Sequence, residues 1–215
     1  MSIIQFSSWL DKYRAVNKDT ICTVYDKEAT AFDEAIGTLS SEAHTMTVTT
    51  LNELVLDKNS KILDFAACTG LLGTKIHGIG YTNIDAFDGS HACIEECKKR
   101  DGTYTQFISE FVTDAAPLSV ATDTYDVVVC SGGFTINHLP ISVLSKWIRI
   151  VKPGGYVINT FRNRWKDLEP MYNEGKFDNE VQRLEKEQKW TFVRKQYSDP
   201  ENYHTCYVMH VHKVL

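Results

Sequence analysis

Lys61-Ile62-Leu63-Asp64-Phe65-Ala66-Ala67-Cys68-Thr69-Gly70-Leu71-Leu72-Gly73 decides the fold. Its first half, Lys61–Ala66, is a buried-strand candidate, ended by a turn that Gly70 and Gly73 punctuate. Thr82–Asp88 is a second such run, succeeded by a helical stretch through Ile94 and Cys97. The alternation continues downstream. Thr105–Glu110 reads as a third strand, and Tyr125–Cys130, with Val127-Val128-Val129, as the fourth. A helix from about Pro140 to Val151 carries Val143, Leu144, Trp147 and Ile148 on one stripe. Lys152-Pro153-Gly154-Gly155 then reads as a turn before a fifth strand, Tyr156–Phe161. Strands that alternate with helices call for right-handed crossovers and a mostly parallel sheet covered on both faces. Trp190–Tyr197 and Tyr203–Val214 have only Ser198–Asn202 between them, which predicts an antiparallel hairpin.

Upstream, the pattern is helical. Ser7 or Ser8 caps a helix with Trp9, Tyr13 and Val16 on one face; Tyr25, Ala29, Phe32 and Ile36 repeat the spacing, as do Val48, Leu51 and Val55. A helix near Asp178–Lys189 reads as a packing helix. The expected fold is therefore α/β: a doubly wound, mostly parallel seven-stranded sheet with a C-terminal antiparallel hairpin and a helical N-terminal extension. One domain, 1–215, is expected, with 1–58 as the extension or cap and 59–215 as the core.

Composition narrows the function. With 215 residues, the chain suits one sizeable core better than two small ones. Its 23 basic and 28 acidic residues give a net charge of −5, a poor match to a nucleic-acid backbone or an anionic membrane. No apolar run approaches the roughly 18 residues of a membrane span, and Trp9, Asp11 and Lys12 interrupt any signal-peptide core. The six cysteines form no C-x-x-C pair or ligand cluster, so reduced thiols in a cytoplasmic protein are expected, with no metal site.

Ligands of open α/β sheets bind beyond the carboxyl ends of the strands, where strand order reverses. The small residues after Asp64, from Ala66 to Gly70, let the backbone approach a ligand. Asp88 closes the second strand, where a carboxylate accepts from both hydroxyls of a ribose. Asp85 is its competitor, and a helix cap at Ser90 is the plainer role for Asp88. Asp64 would repel a pyrophosphate but attract a cation, and Cys68 breaks the G-x-G-x-x-G pattern. Both features favour S-adenosylmethionine over a dinucleotide.

These residues resemble the class I (Rossmann-like) S-adenosylmethionine-dependent methyltransferases. The matching text includes Tyr25-Asp26, Phe32-Asp33, Ile62-Leu63-Asp64, Thr69-Gly70-Leu71, Phe87-Asp88-Gly89-Ser90 and Gly102-Thr103-Tyr104. It continues through Tyr125-Asp126-Val127-Val128, Gly132-Gly133-Phe134, His138-Leu139-Pro140 and Lys152–Gly155, so that the likeness covers about residues 25–162. The resemblance implies that Asp64 and Gly70, with Ala66 and Cys68 in the same loop, hold the methionine end of the cofactor. It implies Asp88 for the ribose, Gly89 beside the adenosyl group, and Ser109, Glu110 and Phe111 around the adenine. Cys130 and Ser131 fall next to the sulfonium, and Tyr25 matches an aromatic that closes over the cofactor. Cys68 stands where the family usually has glycine.

The acceptor is less legible. Ser131-Gly132-Gly133-Phe134 lacks the Asn/Asp-Pro-Pro-Tyr sequence of enzymes that methylate bases or amides, and carboxylates for a metal-dependent catechol mechanism are missing from this edge. A small-molecule O, N or S acceptor is expected, with no nucleic acid. His138 is the candidate general base, although a loop histidine that merely orders its surroundings fits the pattern equally. Arg162 and Arg164 suit a carboxylate or phosphate clamp, but Lys166, Asp167 and Glu169 come next in the chain and make a solvated charged loop the plainer reading. Trp9, Tyr13, Phe134, Phe161, Trp165 and Tyr172 are candidates for an acceptor floor. The alternative to an enzyme is a silent cofactor-binding regulatory or scaffolding protein.

Overall fold

The computed structural model describes residues 11–17, 19–202 and 206–215. Ser7, Ser8, Trp9 and Tyr203 lie outside the described residues. The first long element is helix α1 (Cys22–Leu54), followed by β1 (Ile62–Phe65), α2 (Leu71–Gly78), β2 (Ile84–Asp88), α3 (His91–Lys98) and β3 (Gln106–Ser109). The remainder is β4 (Tyr125–Ser131), α4 (Val143–Ile150), β5 (Val151–Arg162), the short α5 (Trp165–Leu168), α6 (Lys176–Lys186), β6 (Trp190–Tyr197) and β7 (Tyr207–Val214). Seven strands form one sheet in the order β3-β2-β1-β4-β5-β7-β6. β1 to β5 pair in parallel, whereas β7 runs antiparallel to both β5 and β6. The order reverses between β1 and β4, which opens a crevice at their carboxyl ends.

Alternation along the strands builds two apolar layers. Leu63, Phe65, Phe87 and Val128 face one side, where Val143, Leu144, Trp147 and Ile150 of α4 cover them. Ile62, Ile84, Val127 and Val129 face the other, under Ala43, Met46, Leu51 and Val55 at the end of α1 and Leu72 and Ile76 of α2. Trp147 is fully buried, with Phe65 edge-on to it at 5.4 Å. Each such large apolar side chain contributes about 1.5–3 kcal/mol by leaving water.

Two local expectations change. The two spacings from Tyr25 to Val55 belong to one 33-residue helix. Between Cys22 and Leu54 there is no proline, and the lone Gly37 costs only about 1 kcal/mol, too little to stop a helix held by packing. The turn Lys152–Gly155 is a bulge inside β5. Tyr125 pairs with Val151 but Val127 pairs with Tyr156, so four residues loop out opposite Asp126. Lys152 Nζ pins the bulge by donating to Asp126 Oδ1 at 2.8 Å.

Candidate functional site

The site starts where β1 ends. Ala66 (φ 58°), Cys68 (φ 50°) and Gly70 (φ 86°) are all left-handed, which curls the chain tightly into α2. Gly70 suits this conformation, and a Cβ there would meet the Tyr104 ring at 3.0 Å. Cys68 does not suit it: left-handed backbone costs a side-chain-bearing residue roughly 1–2 kcal/mol. Its Sγ lies 3.7 Å from Cys93 Sγ.

Asp88 joins this loop to the next one. Its Oδ2 accepts the Cys68 N–H at 2.8 Å and its Oδ1 the Ser90 N–H at 2.8 Å. Asp88 thus orders the start of α3 as well as facing the crevice. Asp85, its competitor, is buried among core donors: Tyr125 Oη at 2.8 Å, Thr105 Oγ1 at 2.5 Å and Lys61 Nζ at 3.4 Å. Asp64 is 1% exposed and accepts from Tyr104 Oη at 2.7 Å and from the Gly73 N–H. Burial pushes the Asp64 carboxyl up to about 7, against the pull of those two donors, and the charge of Asp88 adds to the rise. Burial likewise raises Asp88 to about 6, opposed by the N–H groups of Ser90, Cys68 and Gly89. Both carboxylates therefore gain from a bound cation or hydroxyl donor.

α1 roofs this crevice. Asp26 accepts from Ser90 Oγ at 2.6 Å and Ala92 N at 3.3 Å, and Asp33 is bonded to Thr69 Oγ1 and Arg100. Tyr25 reaches across to His138: its hydroxyl lies 2.6 Å from Nε2. The His138 Nδ1 lies 2.5 Å from the Ile136 carbonyl oxygen, which can only accept, so Nδ1 carries the proton and Tyr25 donates to Nε2. Asn137 fastens the same loop to the N-terminal segment by donating to the carbonyls of Tyr13 (3.0 Å) and Val16 (2.8 Å).

Beneath the roof is a cavity of about 200 Å³. Among the residues expected at the site, Ala66, Cys68, Asp88, Gly89, Phe111 and Ser131 stand on its wall. Tyr25 and His138 close it from above. Asp64 opens instead onto a smaller cavity of about 50 Å³, walled also by Ala66, Cys68 and Ser131. Gly70, Ser109, Glu110 and Cys130 are on neither wall. The Glu110 carboxylate accepts from the N–H and hydroxyl of Ser119, so a folded-back loop holds it away from the crevice. Cys130 is buried under Gly133, where a Cβ would come within 2.5 Å of its sulfur. Phe134 and Trp165 are on the cavity wall, as is Tyr13, whereas Phe161 and Tyr172 belong to the core.

The sequence reading missed several wall residues. Phe32 was read on the stripe of Tyr25 but not as a wall residue, and Ala43 joins that face once α1 is read as one continuous helix, since a spacing of 11 residues returns to nearly the same azimuth. His44 gave no signal. It is 7% exposed, lines the smaller cavity beside Asp64, and its Nδ1 has no hydrogen-bond partner. Burial, aided by the charge of Lys75, holds His44 neutral, with its pKa down to about 4. His138 is likewise pushed down to about 4 by burial, although its bond to Ile136 works the other way. It is a far weaker base than a loop histidine in water.

Comparison with known proteins fits this geometry. Residues 62–155, from the start of β1 to the β5 bulge, match the methyltransferase domain family. That match spans 94 of the 215 residues. Human methyltransferase-like protein 27 is 27% identical over 168 residues, covering 77% of this chain; the chain spans 66% of the length of that relative. Two solved structures share the fold. One is the Burkholderia thailandensis 1,6-didemethyltoxoflavin-N1-methyltransferase with its substrate and S-adenosylhomocysteine (TM-score 0.63, 12% identity, 93% of this chain and 90% of that one). The other is the N-methyltransferase NodS of Bradyrhizobium japonicum with S-adenosylhomocysteine (TM-score 0.60, 12% identity, 82% and 87%). The family cofactor is S-adenosylmethionine. Among the described residues, no helix is long and apolar enough to cross a membrane.

Proposed function

We propose that the protein transfers the methyl group of S-adenosylmethionine to a small-molecule O, N or S acceptor. The observation that carries this reading is the roofed cavity: it has a half-buried carboxylate at the adenosyl end, continues into an aromatic chamber, and lies beneath α1. A folded macromolecule would have to displace that roof. A small acceptor would not.

The residues fit the cofactor. Asp88 would accept from its ribose hydroxyls. Gly89 lets the adenosyl group pass close to the backbone, since even a Cβ there would meet Cys22 Sγ at 2.9 Å and Phe111 at 3.2 Å. Asp64 would hold the ammonium, and the orphaned Nδ1 of His44 suits the carboxylate of the same methionyl group. Ser131, Ala66 and Cys68, shared by both cavities, would flank the sulfonium. α1 acts as the cap of a single catalytic domain, and the six free cysteines favour a reducing, cytoplasmic setting.

Transfer is an in-line displacement. When bound, the cofactor would supply an electrophilic methyl carbon: as the acceptor's lone pair bonded to it, the carbon–sulfur pair would return to sulfur and leave a neutral thioether. An acceptor proton would pass by way of the Tyr25 hydroxyl to His138 Nε2 or to solvent. A base with a pKa of about 4 contributes little to this step, so most of the acceleration comes from near-attack positioning, worth about 7–11 kcal/mol. Calorimetric titration with S-adenosylmethionine, followed by detection of S-adenosylhomocysteine across a metabolite library, tests the proposal. Cofactor binding without release on any acceptor would favour a silent scaffold; no binding would refute both readings.

A further inference from the structure

Resting on the methyltransferase reading, a second charge on the cavity wall indicates what the acceptor looks like. Among the described residues, the wall holds two formally charged side chains, Asp88 and Arg162. They end β2 and β5, three strand spacings apart in the order β2-β1-β4-β5, or about 14 Å. Ser131 ends β4, between them. The crevice is thus acidic where the ribose belongs and basic beyond the sulfonium.

Arg162 is held in place rather than trailing in solvent. Its guanidinium lies 4.7 Å over the ring of Tyr207, its antiparallel partner on β7, and the Tyr207 hydroxyl is hydrogen-bonded to it. Arg164 stacks 4.5 Å over Trp165, another wall residue. Arg164 loses some of its affinity for its proton, first through burial and then through the charges of Arg162 and Arg14, the latter paired with Asp11 at 3.2 Å. Glu42 is the acidic group felt at Tyr207, and the buried Glu169 is engaged by the Asn137 N–H and by Arg14. In the charged segment after β5, Lys166 turns to Asp178 at 3.1 Å and Asp167 is exposed. A guanidinium on an aromatic wall can donate N–H groups to a carboxylate or phosphate while the flanking rings take the apolar body of the same molecule.

We propose that the methyl acceptor is a planar, aromatic small molecule with an anionic substituent, seated among Phe134, Trp165 and Tyr207 with its charge on Arg162. Carboxylate and phosphate share this chemistry, and the test separates them. Benzoate, phenyl phosphate and benzamide are titrated, by NMR, into the full chain saturated with S-adenosylhomocysteine. At least one anion should bind about tenfold more tightly than benzamide, and the tighter of the two names the group. Arg162→Gln should bring that anion to within about threefold of benzamide while leaving S-adenosylhomocysteine affinity nearly unchanged, and Arg162→Lys should restore part of the preference. Equal binding of benzamide, no binding of either anion at millimolar concentration, or a preference that survives in Arg162→Gln would each overturn the proposal. So would a loss of S-adenosylhomocysteine affinity in Arg162→Gln, which would assign the guanidinium to the cofactor. Failure of the unmodified protein to bind S-adenosylhomocysteine would instead refute the methyltransferase reading beneath it.

Discussion

On the proposed reading, the cofactor's ammonium would pair with Asp64 only after that carboxyl had lost its proton, and burial sets the pH at which it does so. With a pKa of about 7 in the free protein, roughly one molecule in ten carries the charge at pH 6. Binding at pH 6 must therefore expel a proton, and affinity for S-adenosylhomocysteine should be about tenfold, or 1.4 kcal/mol, below its plateau. Asp88, at about 6, adds a second step in more acidic solution and steepens the limb. An α-amino group titrates near 7.7–8.0, so affinity falls again once the ligand itself loses its charge. The outcome is a bell with its maximum near neutrality. Calorimetry from pH 5.5 to 8.5, in buffers of different ionisation enthalpy, counts the protons directly. Asp64→Asn should flatten the limb between pH 6 and 7 and abolish most of the proton release there, while the Asp88 step remains. A flat profile in the unmodified protein, or a slope that persists in Asp64→Asn, would mean that this carboxylate does not meet the ammonium.

The same geometry sets three further outcomes. Tyr25→Phe leaves the His138 Nε2 without its donor, a loss of about 1–3 kcal/mol of stability; turnover should drop at least several-fold with cofactor affinity held within a few-fold, as it should for His138→Ala, and unchanged turnover in both would remove the pair from the reaction. Cys68→Gly relieves left-handed strain of roughly 1–2 kcal/mol, partly offset by a freer unfolded chain, so melting should rise by a few degrees and cofactor affinity should not fall; a lower melting temperature would show that the thiol's contact with Cys93 matters more. His44, His138, His210 and His212 are kept neutral by burial, with pKa values down to about 4, 4, 3 and 4. The unfolded chain binds protons first as pH drops below about 6.5, so stability present above that pH is lost toward pH 4, by on the order of 1.4 kcal/mol per group and pH unit; Asp64 and Asp88, with raised values, pull the other way. Urea midpoints at pH 7.5 and 5 measure the balance, and a higher midpoint at pH 5 would contradict it.

Much of this architecture was legible because it is written in short-range signals. The short buried-strand runs at Lys61–Ala66 and Thr82–Asp88, the glycine after each, and the carboxylates Asp64 and Asp88 near their ends are local facts. So is the hairpin of β6 and β7. The continuity of α1 was hidden because its two amphipathic stretches look alike whether or not the helix breaks between them, and only the unbroken version puts Ala43 on the face of Tyr25 and Phe32. Glu110 illustrates another limit: its choice of Ser119 over the crevice depends on how a nine-residue loop closes. The weak basicity of His138 arises from burial, and among the rings packed on it is Tyr25, 113 positions away. Arg162 looked like part of a charged surface loop because its sequence neighbours are charged, yet its spatial neighbours are rings.

The fastening of α1 has a kinetic consequence. Asp26 and Asp33 bond to the very turns that would cradle the cofactor, so the helix cannot lift without loosening its own seat. If the helix must lift for the cofactor to enter, loading and unloading would share one gate, and turnover would wait on it. Such an enzyme would show a burst in its first turnover followed by a steady rate that tracks solvent viscosity. Trimming Asp26 to alanine would speed that steady rate while loosening the grip on the spent cofactor.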